Sequence, residues 1–170
     1  MSKFDSLDLS ILTHLNQNAR LSSAAIARQT GVSERTINNR IKRLIESNAI
    51  QPTALVNPAA FGYTLAIDIF CELEVGHQEQ ALEALLELPE ISYIAISTGD
   101  QDLSLQALFK DSEAMHDFFT HKLHQVPGMR RTRAVLIPRI IKDSSRWLPP
   151  EDAFQQPDEP SQPDPRGGSQ

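Results

Sequence analysis

Basic and amide side chains crowd residues 34–43, and their types suit contacts with double-stranded DNA. Arginine and lysine bind phosphate or the O6 and N7 atoms of guanine, and asparagine can pair with N6 and N7 of adenine. The candidate DNA-binding residues are Arg20, Ser22, Arg28, Ser33, Arg35, Thr36, Asn38, Asn39, Arg40, Lys42 and Arg43. Phosphate contacts are expected from Arg20, Arg28, Lys42 and Arg43, and base contacts from Arg35, Thr36, Asn38 and Asn39. A solvated helix face of mixed charge is the alternative reading.

The apolar residues around this stretch predict three helices, at about 6–16, at 24–29 and from residue 34 onward. Gly31 can take the positive φ that ends the second helix, and Ser33 can cap the third. The third helix is expected to bury one stripe, formed by Ile37, Ile41, Leu44 and Ile45. Helices joined by a three-residue turn with glycine are typical of a helix-turn-helix, and β-prone residues 50–56 predict a short wing strand after it.

After residue 62, apolar and polar residues alternate with the period of two that is typical of strands. The pattern predicts strands at 63–75, 91–97, 103–109 and 132–141, with helices at 78–88 and 112–125. The first of these helices is expected to turn Ala81, Leu82, Leu85 and Leu86 inward. This βαββαβ order is ferredoxin-like, an antiparallel sheet with helices on one face. Since Ala66, Phe70 and Leu108 point to the other face, a second copy of the sheet is expected to cover it.

The charge of the chain is unevenly distributed. The formal net charge is −6, but residues 1–50 hold seven basic and four acidic side chains, a net +3. Residues 51–148 carry −5 and residues 149–170 carry −4. The whole-chain charge argues against coating nucleic acid by bulk electrostatics, whereas the asymmetry indicates a basic binding module attached to an acidic partner domain.

Several other classes of protein are disfavoured. The single cysteine, Cys71, can form neither an intrachain disulfide nor a cysteine zinc site. His116, His121 and His124 lack companion ligands, so no metal is expected. Signatures of enzymes are absent, and neither a catalytic residue nor a cofactor is expected. No apolar run approaches the ~18 residues of a membrane span, so we expect a cytoplasmic protein without a membrane partner.

These patterns divide the chain into four parts. They are a helix-turn-helix domain at 1–56, a linker at 57–62, a βαββαβ domain at 63–148 and a tail at 149–170. The tail is acidic and holds six of the eleven prolines but only two apolar side chains. Such a segment buries too little apolar surface to offset its ordering entropy, so we predict that it is disordered.

The combined pattern resembles the Lrp/AsnC family, the leucine-responsive or feast/famine regulators. The resemblance spans residues 4 to about 142, and its motifs include residues 18–22 (NARLS), 30–33 (TGVS) and 99–102 (GDQD). Asn48 stands where the family usually has glycine, but asparagine tolerates the left-handed conformation. The resemblance implies an α+β chain, a winged helix-turn-helix followed by a ferredoxin-like domain, that binds DNA as a homodimer or octamer and answers to an amino-acid effector.

The resemblance also implies an effector site between dimers, at the predicted turn that carries Thr98, Gly99, Asp100 and Asp102. Backbone N–H groups at Gly99 could receive a carboxylate, and Asp100 or Asp102 could hold an ammonium group. The alternative is that glycine and aspartate only make a good hairpin turn.

A different class of protein shares this plan: siroheme decarboxylases also join a helix-turn-helix to a βαββαβ domain. Such an enzyme would be expected to keep histidines for the tetrapyrrole and to lose a basic DNA-reading helix. Because the chain keeps its basic helix, the regulator is favoured over the enzyme.

Overall fold

The computed structural model describes residues 4–143, 145 and 147–154. The chain forms two compact units. One comprises Leu55–Ile141, and the other combines the residues up to Ala54 with the segment that begins at Lys142. None of the helices in the described part of the chain combines the length and apolar character that crossing a bilayer requires.

The N-terminal unit contains the three predicted helices, α1 (Ser6–Gln17), α2 (Ser23–Thr30) and α3 (Glu34–Glu46). Their apolar faces meet in a core whose fully buried members are Ile11, Ile26, Ile37 and Leu44. Ile45 was predicted to belong to this core but is 39% exposed, because it lies at the edge of the apolar stripe of α3. The helix-turn-helix predicted from the periodicity is confirmed.

Two residues with positive φ end the helices of this unit. Gly31 follows α2 with a φ of 73°, and Asn48 follows α3 with a φ of 55°. Asparagine is one of the few residues other than glycine that visit this region at low cost. Asn48 therefore provides the left-handed turn after α3 without a glycine.

The predicted wing strand does not form. Residues 50–56 have no strand assignment, and Leu55 and Val56 are 74% and 69% exposed. A β-prone sequence becomes a strand only where a second strand accepts its backbone hydrogen bonds, and Pro52 lacks an N–H to offer. The segment instead leads to a 3₁₀ turn at Pro58–Phe61.

The second unit is a four-stranded antiparallel sheet with strand order β2-β3-β1-β4. Its elements are β1 (Leu65–Leu73), α4 (Gln78–Leu86), β2 (Ile91–Ile96), β3 (Leu103–Phe109), α5 (Ser112–His121) and β4 (Met129–Ile137). The predicted βαββαβ order is confirmed, although several ends differ. β4 ends before Pro138, which cannot donate to a neighbouring strand, and α5 gives way to a 3₁₀ turn at Leu123–Gln125.

Strict alternation along β1 and β3 separates a buried face from a partly open one. Ile67, Ile69 and Cys71 lie in the buried face, packed with Leu85 and Phe118 from the helices. Leu86, which was predicted to point inward, is 71% exposed because it ends the last turn of α4. Ala66, Phe70 and Leu108 lie on the partly open face, as predicted from the alternation.

Cys71 is fully buried in this core. Burial penalises the charged thiolate and raises the pKa of Cys71 to about 12. The thiol therefore stays protonated near neutral pH, and it acts as a small apolar side chain.

The beginning of the tail is folded, where the sequence predicted disorder. Residues Glu151–Ala153 form a 3₁₀ turn, and Phe154 is only 7% exposed. The Nδ2 group of Asn16, on α1, donates to the carbonyl oxygen of Ser145 at 3.4 Å. One of the tail's two apolar side chains is thus buried, which sequence composition alone could not reveal. Residues 155–170 of the predicted disordered tail lie outside the described residues.

Candidate nucleic-acid interface and effector site

Five of the predicted DNA-binding side chains are exposed and available to a partner. Arg35 and Asn39 lie on the outer face of α3, and neither side chain has a hydrogen bond or ion pair within the described residues. The same holds for Arg20, before α2, and Arg28, on α2. Lys42 is 74% exposed on α3. Lys42 also lies 3.7 Å from Glu46, in an exposed pair. The five side chains place positive charge and one amide on the surface of the N-terminal unit.

Two of the predicted DNA-binding residues use their hydroxyl groups to cap helices. The Oγ of Ser22 accepts the N–H of Ala25 at 3.2 Å, which caps α2. The Oγ of Ser33 accepts the N–H of Thr36 at 3.1 Å, and it also lies 2.8 Å from the Oγ1 of that threonine. Ser22 and Ser33 therefore serve helix capping first, and through it they fix where α2 and α3 begin, while the hydroxyl of Thr36 is engaged with that of Ser33.

Asn38 connects the two helices of the motif. The Oγ of Ser23, the first residue of α2, donates to the Oδ1 of Asn38 at 2.5 Å. This bond joins α2 to the outer face of α3. The amide oxygen of Asn38 is therefore engaged within the motif, whereas Asn39 beside it is not.

For Arg40 and Arg43 the structure gives a role that differs from the predicted one. The Nη1 of Arg40 donates to the Oδ2 of Asp5 at 2.6 Å and to both carboxylate oxygens of Asp8, at 3.1 and 3.2 Å. The Nη2 of Arg43 donates to the Oδ2 of Asp8, and its guanidinium lies 5.9 Å from the ring centre of Phe4. We call Asp5, Asp8, Arg40 and Arg43 the α1–α3 ion cluster.

Asp5 and Asp8, the two acidic residues of the ion cluster, also cap the N-terminus of α1. The Oδ1 of Asp5 accepts the N–H groups of Leu7 and Asp8, both at 3.1 Å, and the Oδ2 of Asp8 accepts the N–H of Asp5 at 2.9 Å. The role of Asp8 was not identified from the sequence. The signal was the pair of acidic residues three positions apart at the helix start, which is the spacing of a capping box.

Electrostatics in the cluster favour the charged forms. Burial opposes ionisation of Asp5, but the hydrogen bond from Arg40 and the N–H of Asp8 outweigh it, so the pKa of Asp5 lies below its usual value. The hydrogen bond to Asp5 likewise raises the pKa of Arg40 despite partial burial. Both partners therefore stay charged at neutral pH.

The turn between β2 and β3 is fastened to β1 by Asp102. Its Oδ2 accepts the N–H of Leu73 at 2.7 Å, and its own N–H donates to the carbonyl oxygen of Cys71 at 2.9 Å. The N–H of Ser97 closes the loop on the carbonyl oxygen of Asp102 at 2.8 Å. One oxygen of this carboxylate is thus committed to the fold. Gly99, with a φ of 131°, takes the turn through a region that favours glycine.

Beside this turn lies a shallow depression of about 260 Å³ on the partly open face of the sheet. Its lining residues are Phe70, Glu72, Asp100, Gln101, Arg131 and Arg133. The guanidinium of Arg133 stacks 4.7 Å from the ring centre of Phe70, and Arg131 lies 3.7 Å from Glu72. The site therefore combines two cations with two carboxylates, those of Glu72 and Asp100.

Of the predicted effector residues, Asp100 lines the depression, whereas Thr98, Gly99 and Asp102 do not. Sequence reasoning missed Arg131 and Arg133. Their signal was their alternate spacing on β4, which places both on one face opposite Glu72 and Phe70 of β1.

A second cavity, of about 440 Å³, lies between α5 and β4. It is lined by Met115, His116, Phe119, Thr120, His124, Thr132 and Ala134, and the Nε2 of His124 lies 3.2 Å from the Oγ1 of Thr132. His121 lies beside Asp117 instead, at 3.8 Å. Within the described residues, no three histidine, cysteine or acidic side chains come together as a metal site.

Comparison with known proteins matches both units. Residues 4–45 match the model of the AsnC-type helix-turn-helix domain, and residues 68–147 match that of the Lrp/AsnC ligand binding domain. The HTH-type transcriptional regulator Ptr1 of Methanocaldococcus jannaschii is 34% identical over 143 residues, which cover 84% of this chain and 97% of the relative.

Solved structures agree. The structure of E. coli AsnC superposes with a TM-score of 0.78 at 25% identity, covering 84% of this chain and 98% of that one. A transcriptional regulator of Neisseria meningitidis, in complex with L-Met, gives a TM-score of 0.81 at 23% identity, covering 86% and 97%. The helix-turn-helix, the βαββαβ sheet and these matches together show that the chain belongs to the Lrp/AsnC family of transcriptional regulators.

Proposed function

We propose that this regulator binds DNA sequence-specifically, with α3 in the major groove. The observation that carries the proposal is the outer face of α3, where Arg35, Asn39 and Lys42 are exposed. Arg35 can read guanine and Asn39 can read adenine, while Lys42 contacts phosphate. Arg20 and Arg28 supply further phosphate contacts from the neighbouring helix and its approach.

The proposal narrows the set of contacts taken from the sequence. Arg40 and Arg43 are left out because they bind carboxylates of α1. Ser22 and Ser33 are kept as caps that orient the helices, and Asn38 as a bridge between them.

Capture of genomic fragments by the purified protein tests the proposed DNA-binding function directly. Enrichment of one sequence motif is expected, and retention of fragments in proportion to their abundance would contradict it.

Replacing Lys42 with alanine is expected to weaken binding to all DNA about equally. Each phosphate contact contributes roughly 0.9 to the slope of log affinity against log salt, so the slope should fall by about that amount. Fluorescence anisotropy over a salt series measures it. Lys110→Ala removes the same charge from the sheet unit and is expected to leave the slope unchanged. Equal effects of the two substitutions would show that Lys42 makes no phosphate contact.

We further propose that the depression beside the β2–β3 turn takes a small amino-acid effector. Arg131 and Arg133 suit a carboxylate, and Asp100 suits an ammonium group, so the two charges of a free amino acid find opposite partners. The Neisseria relative, whose structure contains L-Met, makes methionine one natural candidate to screen.

The depression lies on the sheet face that we propose pairs with a second copy. Val135, opposite Asp68 on that face, is 40% exposed, and Phe70 is only partly covered. A homodimer built through this face, or an octamer of such dimers, would bring the effector site next to a subunit interface. Effector binding would then alter assembly, which sedimentation analysis with and without the effector measures.

A screen of the twenty amino acids is expected to find one that raises the melting temperature of the wild type. Replacing Asp100 with asparagine is expected to abolish that rise. Loss of the carboxylate removes the partner of the ammonium group. Asp117→Asn, on α5 and away from the turn, is the control and should respond fully. Asp102 is less suitable because its substitution also breaks the bond to Leu73. A full response by the Asp100 variant would move the effector site away from this depression.

A further inference from the structure

We infer that Asp8 limits how many arginines of α3 reach DNA: it holds Arg43, shares Arg40 with Asp5, and so withholds both arginines from phosphate. This inference rests on the proposed DNA-binding function and concerns how strongly the protein binds DNA of any sequence. It gives a role in recognition to an acidic residue that lies on a different helix from the proposed base contacts.

The carboxylate of Asp8 has strong reasons to keep its partners. Its side chain is 0% exposed, and a buried charge without a partner is costly. It receives the Nη1 of Arg40 at 3.1 Å, the Nη2 of Arg43 and the N–H of Asp5 at 2.9 Å. Removing one partner of such a pair usually destabilises a protein strongly, so the two arginines remain bound to it.

The two arginines differ from their neighbours on the same helix. The side chain of Arg40 is 26% exposed and that of Arg43 is 39% exposed, whereas Lys42, between them, is 74% exposed. The Nε of Arg43 is buried without a hydrogen-bond partner among the described residues. Arg43 thus forgoes one hydrogen bond in the position that lets it reach Asp8.

The consequence concerns the affinity for DNA of any sequence. Four basic residues lie on α3, but only Arg35 and Lys42 are exposed. Because each phosphate contact adds roughly 0.9 to the salt slope, two withheld arginines lower that slope by up to about 1.8. Non-specific binding is almost entirely this electrostatic component, whereas specific binding also uses base contacts. Withholding the arginines therefore lowers the affinity for DNA of any sequence and leaves discrimination between sequences to the base contacts.

The test is Asp8→Asn in the full chain, measured on a captured genomic site and on a shuffled duplex over a salt series. Asparagine keeps the shape and an acceptor oxygen but loses the charge, so Arg43, and Arg40 in part, are released. We expect the salt slope on shuffled DNA to steepen by about 0.9 for each released arginine. The slope on the genomic site should steepen by the same amount, because a phosphate contact does not depend on sequence.

The matched control is Glu46→Gln. It removes the same charge from α3, but Glu46 is exposed and lies 3.7 Å from Lys42 in a pair that solvent screens. Its salt slope should equal that of the wild type. A folded Asp8→Asn protein with an unchanged salt slope overturns the inference, as does a Glu46→Gln protein whose slope steepens equally.

If the Asp8→Asn protein does not fold, Arg40→Met provides a second test of the inference. Methionine fills similar space, and Asp8 keeps Arg43 as a partner. If Arg40 is withheld from DNA, its loss leaves the salt slope of the wild type unchanged, in contrast to Lys42→Ala. A fall of about 0.9 would show that Arg40 contacts phosphate and would overturn the inference alone. A wild type that binds no DNA at low salt overturns the proposed function, and this inference with it.

Discussion

The double variant Arg35→Ala, Asn39→Ala is expected to lose protection of its cognate sites in DNase footprinting while keeping most of its affinity for shuffled DNA. A good bidentate contact between a side chain and a base contributes about 1–3 kcal/mol of discrimination, so two such contacts together account for about 2–6 kcal/mol. Phosphate contacts by Arg20, Arg28 and Lys42 remain in this variant. Competition between cognate and shuffled duplexes measures the lost discrimination.

Neither substituted side chain has an internal partner in the described part of the chain, so the fold should persist with an unchanged melting temperature. Arg139→Ala, in the sheet unit, removes the same positive charge and serves as the control. An intact footprint from the double variant would place sequence recognition somewhere other than the outer face of α3.

Gly128→Ala is expected to destabilise the sheet unit by about 2–5 kcal/mol. Gly128 has a φ of 73°, where an added Cβ carries a cost of about 1–2 kcal/mol. That Cβ would also lie 2.2 Å from the Cβ of His77, and overpacking of this kind costs about a further 1–3 kcal/mol. The carbonyl of Gly128 accepts the N–H of Glu74 at 2.8 Å, which hinders relief by backbone movement. Urea unfolding measures the loss.

Gly76→Ala is the matched control within the same unit. Gly76 has a φ of 86°, but its added Cβ would meet nothing within 4 Å. Its cost should be only the ~1–2 kcal/mol of the left-handed conformation. The difference between the two variants isolates the contact with His77. Equal losses would mean that the His77 loop moves aside without cost.

The helix-turn-helix could be predicted because its evidence is local. The stripe of Ile37 and Leu44, the cap at Ser33 and the break at Gly31 all lie within a few residues of one another. The role of Arg40 could not be predicted in the same way, because its partners Asp5 and Asp8 lie 35 and 32 residues away. Periodicity tells which face of a helix a residue occupies, but not which side chain meets it there.

The same limit applies to the sheet unit. The β2–β3 turn was evident from Gly99 and its neighbouring aspartates, yet the bond from Leu73 to Asp102 joins strands that are far apart in sequence. The wing failed for a related reason, since residues 50–56 have β-propensity but no strand beside them. Arg131 joins the candidate effector site only because β4 pairs with β1.

The N-terminal unit includes the segment that begins at Lys142, so its two pieces are synthesised at different times. The whole sheet is synthesised between the two pieces of one compact unit, so the ribosome finishes the sheet before that unit has all of its residues. Phe154, which is buried, emerges from the ribosome only after the last strand. A chain truncated at Ile141 would therefore lack part of the N-terminal unit, and a single cut between Ala54 and Leu55 would leave the two units covalently joined.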